Sequence, residues 1–456
     1  MVDALMFAPI LALVMTLPDA VEYAVGHSST VAAQRANLTA AQHALALQRG
    51  VAYPTVNGSL QSFLAKSSNF QGGFAAIGVA QQSVVSQNTA QVGITNWNLT
   101  TGGFSFLALA GARAQAEQAQ NALSNTEDQI ASTVTNSFYG IVQRQAIVSV
   151  DTITLDAQNV LVDTAKAKEK AGVAAGVDVL QAKTSAAKSE SSLVADKAAV
   201  QDATEALAQQ IGAPLDTQFD VPKDVPQPPL PKGTIDGLVS IADTNRPDVA
   251  AAREAMLAAG YTRRGWNVEL YPSVQISANI GNQFSPTQAV QEQAALDDQC
   301  RKYGYLVCPT VQRGSPGFWS IQAVSSISLP LVDYNARHSE RVNDDAQLAS
   351  TQTAFAQTRL QAELDVRQSY RAAQTAQSQL MWAKEESDYG TESARIASLQ
   401  YKAGVKTIFD VLQAQTAAQQ ALDDYVNARV NYVEAVVKLR VSLGTYDARS
   451  AVMDLK

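Results

Sequence analysis

Apolar side chains return at every seventh residue along two stretches of the chain, 177–211 and 409–443. The first stretch carries Val179, Ala186, Leu193, Val200 and Leu207, and the second carries Val411, Ala418, Tyr425, Tyr432 and Leu439. A seven-residue repeat places these side chains along one seam of a helix and favours left-handed supercoiling around a partner helix. Both stretches are therefore predicted to be helices of a coiled coil.

A longer helix is predicted before each of these stretches. Proline is absent from 55–213 and from 331–456, and because proline breaks helix interiors, both intervals can stay helical over long distances. The long helices are predicted at 100–169 and 332–401. At a rise of 1.5 Å per residue each would be roughly 105 Å long, which favours extended coiled coils over a globular helical bundle.

Alternation of apolar and polar residues predicts strands between the helices. It is clearest in Val274–Ile280 and Trp319–Leu329, and less regular near 55–65 and 88–99. Period two gives each strand one apolar and one polar face. A membrane barrel shared between subunits and a soluble β-layer both fit this pattern, and periodicity alone leaves the choice open. The aromatic residues near these strands are Phe63, Trp97, Phe104, Trp266, Tyr271, Phe284, Phe318, Trp319 and Tyr334.

A turn sequence that occurs twice indicates a duplicated chain. Lys170–Ala182 and Lys402–Ala414 are identical at nine of thirteen positions and lie 232 residues apart. In each copy a glycine that tolerates a positive φ ends one helix, and an aspartate opens the next helix near the positive end of its dipole. The predicted order in each half is a helix, two strands, the long helix, the turn and the shorter helix. The first helices are predicted at 18–50 and 234–267.

These landmarks divide the chain into five segments. They are an apolar lead-in or leader remnant at 1–16, a first repeat at 17–212, a proline-rich linker at 213–233, a second repeat at 234–444 and a tail at 445–456. The lead-in lacks the positively charged start of a signal peptide. The second repeat is 14 residues longer than the first between its strands, and both cysteines of the chain lie in that insertion.

Composition narrows the classes of function. A net charge of −8 and a pI near 5.1 argue against nucleic acid as a partner, because nucleic acid requires a basic surface. No apolar run in the sequence reaches the roughly 18–20 residues of a membrane-spanning helix. His27, His43 and His338 are far apart without metal-ligand spacing, so they are expected on helix surfaces. We expect no catalytic residues, metal or cofactor, and therefore no enzyme.

The second turn carries a family resemblance. Tyr401–Leu412 reads YKAGVKTIFDVL, which resembles the second-tip motif of the outer-membrane efflux protein family, the TolC-like outer membrane factors. The following stretch, up to Gly444, is also similar to that family. Together with the tandem duplication and the order of the elements, the resemblance extends from Thr16 to Gly444.

The resemblance implies a mainly α fold with a small β part. Tandem-duplicated long coiled-coil helices would accompany four strands that contribute to a trimeric, twelve-stranded outer-membrane β-barrel. The chain would be the outer-membrane channel of a tripartite efflux or type I secretion system, a passive conduit gated at its periplasmic helical tips. Its partners would be two further copies, outer-membrane lipid, a periplasmic adaptor (membrane fusion) protein and, through the adaptor, an inner-membrane pump. A periplasmic adaptor, or a structural coiled-coil protein without a channel, remains the alternative.

The resemblance also assigns residues to the gate. Asp178 on the first tip would pair with Tyr401 and Lys406 on the second tip as a latch, with lysine in place of the commoner arginine. Asp410 would form the entrance constriction. Gln413 stands where the family often has a second acid, so the constriction would be less negative.

Two further sets of residues follow from the same resemblance. Adaptor docking would use small residues of both tips, Gly172, Val173, Gly404 and Val405. Cys300 and Cys308 would form a disulfide that staples a loop at the mouth of the barrel, because the compartments on both sides of the outer membrane are oxidising.

Overall fold

The chain divides into a helical unit and a unit that contains the main sheet. The helical unit comprises 1–41, 115–256 and 349–456, and the other comprises 42–114 and 257–348. The computed structural model describes residues 14–51, 53–69, 81–98, 102–222, 225–231, 233–268, 273–284, 294, 297–298, 300–304, 318–328 and 334–446.

The helices follow the predicted tandem order. They are α1 (Leu17–His27), α2 (Ser29–Gly50), α3 (Gly102–Lys170), α4 (Gly176–Ile211), α5 (Ile235–Asn245), α6 (Pro247–Val268), α7 (Tyr334–Lys402) and α8 (Ile408–Ser442). We call α3 and α4 the first hairpin, joined by the first tip (171–175), and α7 and α8 the second hairpin, joined by the second tip (403–407). The long helices and the returning helices confirm the sequence prediction to within two residues at each end.

The prediction of one unbroken helix at the start of each half was wrong. The chain leaves helical geometry at Ser28, with φ −66° and ψ 127°, and at Arg246, with φ −67° and ψ 124°. Arg246 precedes Pro247, and the proline ring disfavours helical geometry in the residue before it. At the equivalent place the Ser28 hydroxyl accepts a hydrogen bond from the Val31 N–H at 3.4 Å, which favours a new helix start.

The main sheet has four antiparallel strands in the order β2-β3-β5-β6. They are β2 (Thr55–Asn69), β3 (Gln81–Asn98), β5 (Ser273–Phe284) and β6 (Phe318–Ser328). The register of β3 against β5 shifts between Ile94 and Trp97. The four strands that the alternation predicted are confirmed, and those of the first repeat extend further than the alternation indicated.

Register sorts the side chains of the sheet by polarity, because residues paired across antiparallel strands share a face. Two rows on one face are apolar apart from a glycine: Val56, Ile94, Ala278 and Ala323, and Gly58, Val92, Ile280 and Ile321. Two rows on the other face are polar apart from glycines: Asn57, Gly93, Asn279 and Gln322, and Ser59, Gln91, Gly281 and Ser320. The sheet therefore has one apolar and one polar face.

A second, very small sheet lies in the helical unit. Two-residue strands β1 (Val14–Met15) and β4 (Gln218–Phe219) pair in parallel. The linker predicted at 213–233 is otherwise irregular where the structure describes it. A two-residue pair leaves no periodicity in a sequence, so this strand pair was not predicted.

The largest core cluster of the helical unit draws on both repeats. Buried side chains of α1, α3, α4 and α8 pack together, among them Phe138, Leu207 and Val433. Within this cluster the hydroxyls of Thr135 and Tyr446 form a hydrogen bond of 2.8 Å. The apolar burial holds the two hairpins side by side, which brings their tips together. No helix in the described residues has the length and apolarity needed to cross a membrane.

Candidate functional site

The two tips have the same backbone geometry. In the first tip the N–H of Gly172 bonds to the carbonyl of Glu169 at 2.9 Å, and the N–H of Val173 bonds to that of Lys168 at 3.0 Å. The second tip repeats both bonds from Gly404 and Val405, at 3.0 and 2.9 Å. The glycines have φ of 75° and 81°, in the left-handed region that glycine enters at little cost. Both turns are thus Schellman-type helix ends.

The helix starts that follow the tips differ in their side chains. Thr407 caps α8: its hydroxyl accepts from the Asp410 N–H at 3.3 Å, and the Asp410 carboxylate accepts from the Thr407 N–H at 3.0 Å and hydroxyl at 2.8 Å. The Thr407 hydroxyl and N–H, together with the charge of Lys406, lower the pKa of Asp410. In the first tip Ala175 occupies the capping position and no side chain caps α4. Asp178 is therefore left without the cap that Asp410 has.

Tyr401 is the residue where the two tips meet. Only 3% of Tyr401 is exposed, and it belongs to a cluster with apolar side chains of all four hairpin helices, among them Val162, Val179 and Val411. Its hydroxyl is buried and has no hydrogen-bond partner. Burial, and after it the negative charge of Asp178, raises the pKa of Tyr401. Asp178 is thus close enough to act on the phenol.

A residue that sequence reasoning missed makes the direct contact with Tyr401. The ammonium of Lys168, in the last turn of α3, donates a hydrogen bond to the backbone carbonyl of Tyr401. The same ammonium lies 4.1 Å from the centroid of the Tyr401 ring. Lys406 is exposed, and the described residues offer its ammonium no hydrogen bond or ion pair. The latch of Asp178, Tyr401 and Lys406 therefore stays a prediction. Of these three residues, Asp178 and Tyr401 lie near each other within one subunit.

The predicted constriction residues lie in the first turns of α8. The Asp410 carboxylate is engaged in the helix cap, and the Gln413 side chain is exposed. Because a single chain contains one copy of each, the constriction also stays a prediction.

Both tips expose apolar surface where adaptor docking was predicted. Val173 is 73% exposed and Val405 is 75% exposed. A side chain built on Gly172 or Gly404 would meet no atom within 4 Å, so the space beside both glycines is open. The residues that follow the tips add apolar area, since Val177 and Phe409 are also exposed.

Three carboxyl groups lie between the hairpins, away from the tips. Asp151 of α3 is 2% exposed, and Asp196 of α4 and Asp423 of α8 lie close enough to raise its pKa. The Gln419 amide donates to one Asp151 oxygen at 2.9 Å, and the other Asp151 oxygen has no partner. Burial, followed by the neighbouring acids, raises the pKa of Asp151 and of Asp423 to about 6. Sequence reasoning missed this cluster, because its three acids lie on different helices and far apart in the sequence.

The remaining residues singled out from the sequence are the two cysteines and the three histidines. Cys300 is buried, and Cys308 lies outside the described residues, so the disulfide stays a prediction. His27, His43 and His338 lie on helices and are exposed, as expected. The His27 ring stacks on Tyr23 with 3.9 Å between ring centroids.

Known proteins with similar sequence or fold are outer-membrane proteins. The pyoverdine export outer membrane protein OpmQ of Pseudomonas putida is 22% identical over 61% of this chain, and the chain matches 54% of the length of OpmQ. The toluene efflux pump outer membrane protein TtgC of Pseudomonas putida is 23% identical to this chain, and the match covers 90% of this chain and 78% of the length of TtgC. The solved structure of the outer membrane protein VceC from Vibrio cholerae superposes with a TM-score of 0.70 and 19% identity, covering 94% of this chain and 96% of that one. At this identity the structural likeness concerns the fold.

A family model covers most of the chain. The model described as "Outer membrane efflux protein" matches residues 21–213 and 238–445, which include most of both repeats and both tips. The match confirms the resemblance seen in the second tip, together with the outer-membrane efflux class and the outer-membrane location that it implies. The chain therefore belongs to the outer membrane efflux protein family.

Proposed function

We propose that three copies of this chain form the outer-membrane channel of a tripartite efflux system, closed at its periplasmic end by the helical tips. The observation that carries the proposal is the main sheet, with one apolar face, one polar face and two open edges. Strands β2 and β6 form the edges of the sheet within one subunit. An exposed sheet edge is a template for pairing with another strand.

The exposed side chains of the edge strands fit a lipid-facing surface. On β6 Trp319, Ile321 and Ile327 are 74%, 82% and 66% exposed, and they share a face because they are an even number of residues apart. Leu60 on β2 is 82% exposed. A barrel closed by edge-to-edge pairing of three such sheets would turn this face to lipid and the polar face to a water-filled lumen.

Paired substitutions on the two faces test the barrel. Ile321→Arg places a charge on the apolar face, where it costs about 2–4 kcal/mol per copy near the middle of a bilayer. Gln322→Arg places the same charge on the next residue of the strand, which lies on the polar face of the sheet. We expect detergent-purified parent protein and Gln322→Arg to have three times the 48.4 kDa chain mass by light scattering, and Ile321→Arg to fail to assemble. A parent protein that is a stable monomer without detergent would contradict the proposal.

The tips would serve both as the gate and as the adaptor-docking surface. The exposed apolar residues Val173, Val177, Val405 and Phe409 support docking of a partner helix hairpin, because such a patch excludes water on contact. Asp178 close to Tyr401 supports a latch within one subunit. Lys406 is exposed and without an ion pair in the described residues, which supports a role between subunits, where three copies would face neighbouring first tips.

The names of the similar proteins favour small organic molecules as cargo. OpmQ is named for pyoverdine export and TtgC for toluene efflux. We propose cargo of this size, selected by the pump rather than by the channel. Deletion of the gene should then sensitise cells to small toxic organic compounds and leave the secretion of proteins unchanged; a secretion defect alone would point to type I secretion instead.

A further inference from the structure

The contact between Lys168 and Tyr401 joins two residues that are 233 positions apart in the chain. Lys168 lies one turn before the first tip, and Tyr401 lies in the last turn of α7 directly before the second tip. The contact therefore links one tip to the other within a single subunit.

Three attractions act on the Lys168 ammonium at this place. It donates a hydrogen bond to the Tyr401 carbonyl in the last turn of α7, which also accepts from the Gly404 N–H of the turn. The same helix end carries the negative pole of the helix dipole. The ring of Tyr401 adds a cation–π interaction at 4.1 Å. The ammonium thus holds the backbone and the ring of Tyr401, whereas the Tyr401 hydroxyl has no partner.

The duplication shows that this contact is not a general property of the hairpins. The positions equivalent to Lys168 and Tyr401 in the other copy are Gln400 and Glu169. Neither of them can repeat the interaction, because glutamine carries no charge and glutamate has no ring. The contact thus joins a lysine of the first hairpin to a tyrosine of the second, and the equivalent residues of the opposite hairpins cannot form it.

We propose that Lys168 positions the second tip against the first and holds the channel closed, through the ring and carbonyl of Tyr401 rather than its hydroxyl. This inference rests on the proposed channel function. Lys168 would act beside the predicted latch of Asp178, Tyr401 and Lys406, as a contact within the subunit that each of three subunits provides.

Planar-bilayer recordings of purified trimers test the proposal. Lys168→Met keeps the apolar stem and removes the charge, and we expect it to raise the open-channel fraction about fivefold or more. Lys168→Arg keeps the cation and should behave like the parent protein. Lys170→Met removes an exposed charge from the same helix end and should also behave like the parent.

Two substitutions of Tyr401 separate the ring from the hydroxyl. Tyr401→Phe removes only the hydroxyl, which the predicted latch uses, whereas Tyr401→Leu also removes the ring that Lys168 contacts, so Tyr401→Leu should open the channel more than Tyr401→Phe does. Parent-like conductance of Lys168→Met, equal opening by Lys170→Met, or opening by Tyr401→Phe as large as that by Tyr401→Leu would each overturn the proposal.

Melting temperatures distinguish a failure of the proposed Lys168–Tyr401 contact from a failure of the proposed channel function. Lys168→Met and Tyr401→Leu share one contact, so their effects on the melting temperature should be less than additive in the double variant. Additive effects would overturn the contact even if the channel exists. A parent protein that never inserts into bilayers would contradict the channel function, while coupled melting temperatures would still support the contact.

Discussion

The first and second tips share a backbone and differ in what their acids do. Both turns use a left-handed glycine and the same two backbone hydrogen bonds. In the second tip, Asp410 is bound by Thr407 in a closed capping box. In the first tip, Ala175 replaces the threonine, and Asp178 instead lies close enough to Tyr401 to raise its pKa.

The difference shows how a duplicated turn can take on two roles. The backbone needs only the glycine and a helix start, and both copies keep these. Four changes of side chain separate the roles: Lys168 against Gln400, Glu169 against Tyr401, Ala174 against Lys406, and Ala175 against Thr407. The second tip is stabilised by the capping bonds of its own side chains. On the first hairpin, by contrast, Lys168 contacts Tyr401 of the second hairpin, and Asp178 lies close enough to raise the pKa of Tyr401.

The largest effect on efflux is expected from substitutions of the glycine that both tips share. Gly404→Trp and Gly172→Trp fill the open space beside each turn, and we expect both to abolish efflux while trimers still reach the outer membrane. Gly404→Ala and Gly172→Ala impose the same unfavourable backbone geometry without the bulk and should retain most efflux. Efflux assays with surface detection of trimers decide this, and normal efflux in either tryptophan variant would exclude that tip from docking.

A smaller effect is expected where the hairpins pack away from the tips. The first hairpin contributes Asp151 and Asp196 and the second contributes Asp423, so like charges meet there. Because the folded-state pKa of Asp151, about 6, lies above the unfolded value, the contribution of Asp151 to folding stability is most favourable below pH 4 and is lost as the pH rises from 4 to 6. Asp151→Asn removes this cost and keeps an acceptor for Gln419. We expect it to stabilise the protein on the order of 1–3 kcal/mol at pH 8 and much less at pH 4.

Melting temperatures across this pH range provide the measurement. Asp156→Asn changes an exposed acid of the same helix and should have little effect at either pH. If Asp151→Asn lowered the melting temperature more at pH 8 than at pH 4, the charged form of Asp151 would be stabilising, contrary to this account.

A still smaller effect tests the helix caps. Thr407→Ala removes the capping hydroxyl and should destabilise the second tip by about 0.5–2 kcal/mol. Ala175→Thr gives the first tip the capping threonine of the second and should stabilise it by a similar amount, with Asp178 drawn into a capping box. Hydrogen exchange at the first turns of α4 and α8 reports each cap separately. Equal protection of α4 in the parent and in Ala175→Thr would show that the first tip does not need a cap.

The sequence predicted the backbone of this protein better than its side-chain contacts. Helix ends followed from prolines, glycines and the seven-residue repeat, which are local signals. The break at Arg246 had a local signal in Pro247, because proline disfavours helical geometry in the residue before it, whereas no proline follows Ser28. Lys168 was missed because its partner is a backbone carbonyl and a ring 233 residues away, which no local pattern records. The latch was assigned by resemblance and stays a prediction, because the Tyr401 hydroxyl is buried without a hydrogen-bond partner in the single chain.

The division of roles between the tips can be tested by one recording, the single-channel conductance of Ala175→Thr in planar bilayers. The substitution supplies the missing cap and should bind Asp178 locally, away from Tyr401. If the first tip is the latch, the variant will show a larger open-channel fraction than the parent protein, although its turn is more stable. If Ala175→Thr remains as closed as the parent, the uncapped aspartate has no role in the gate and the proposed difference between the tips is wrong.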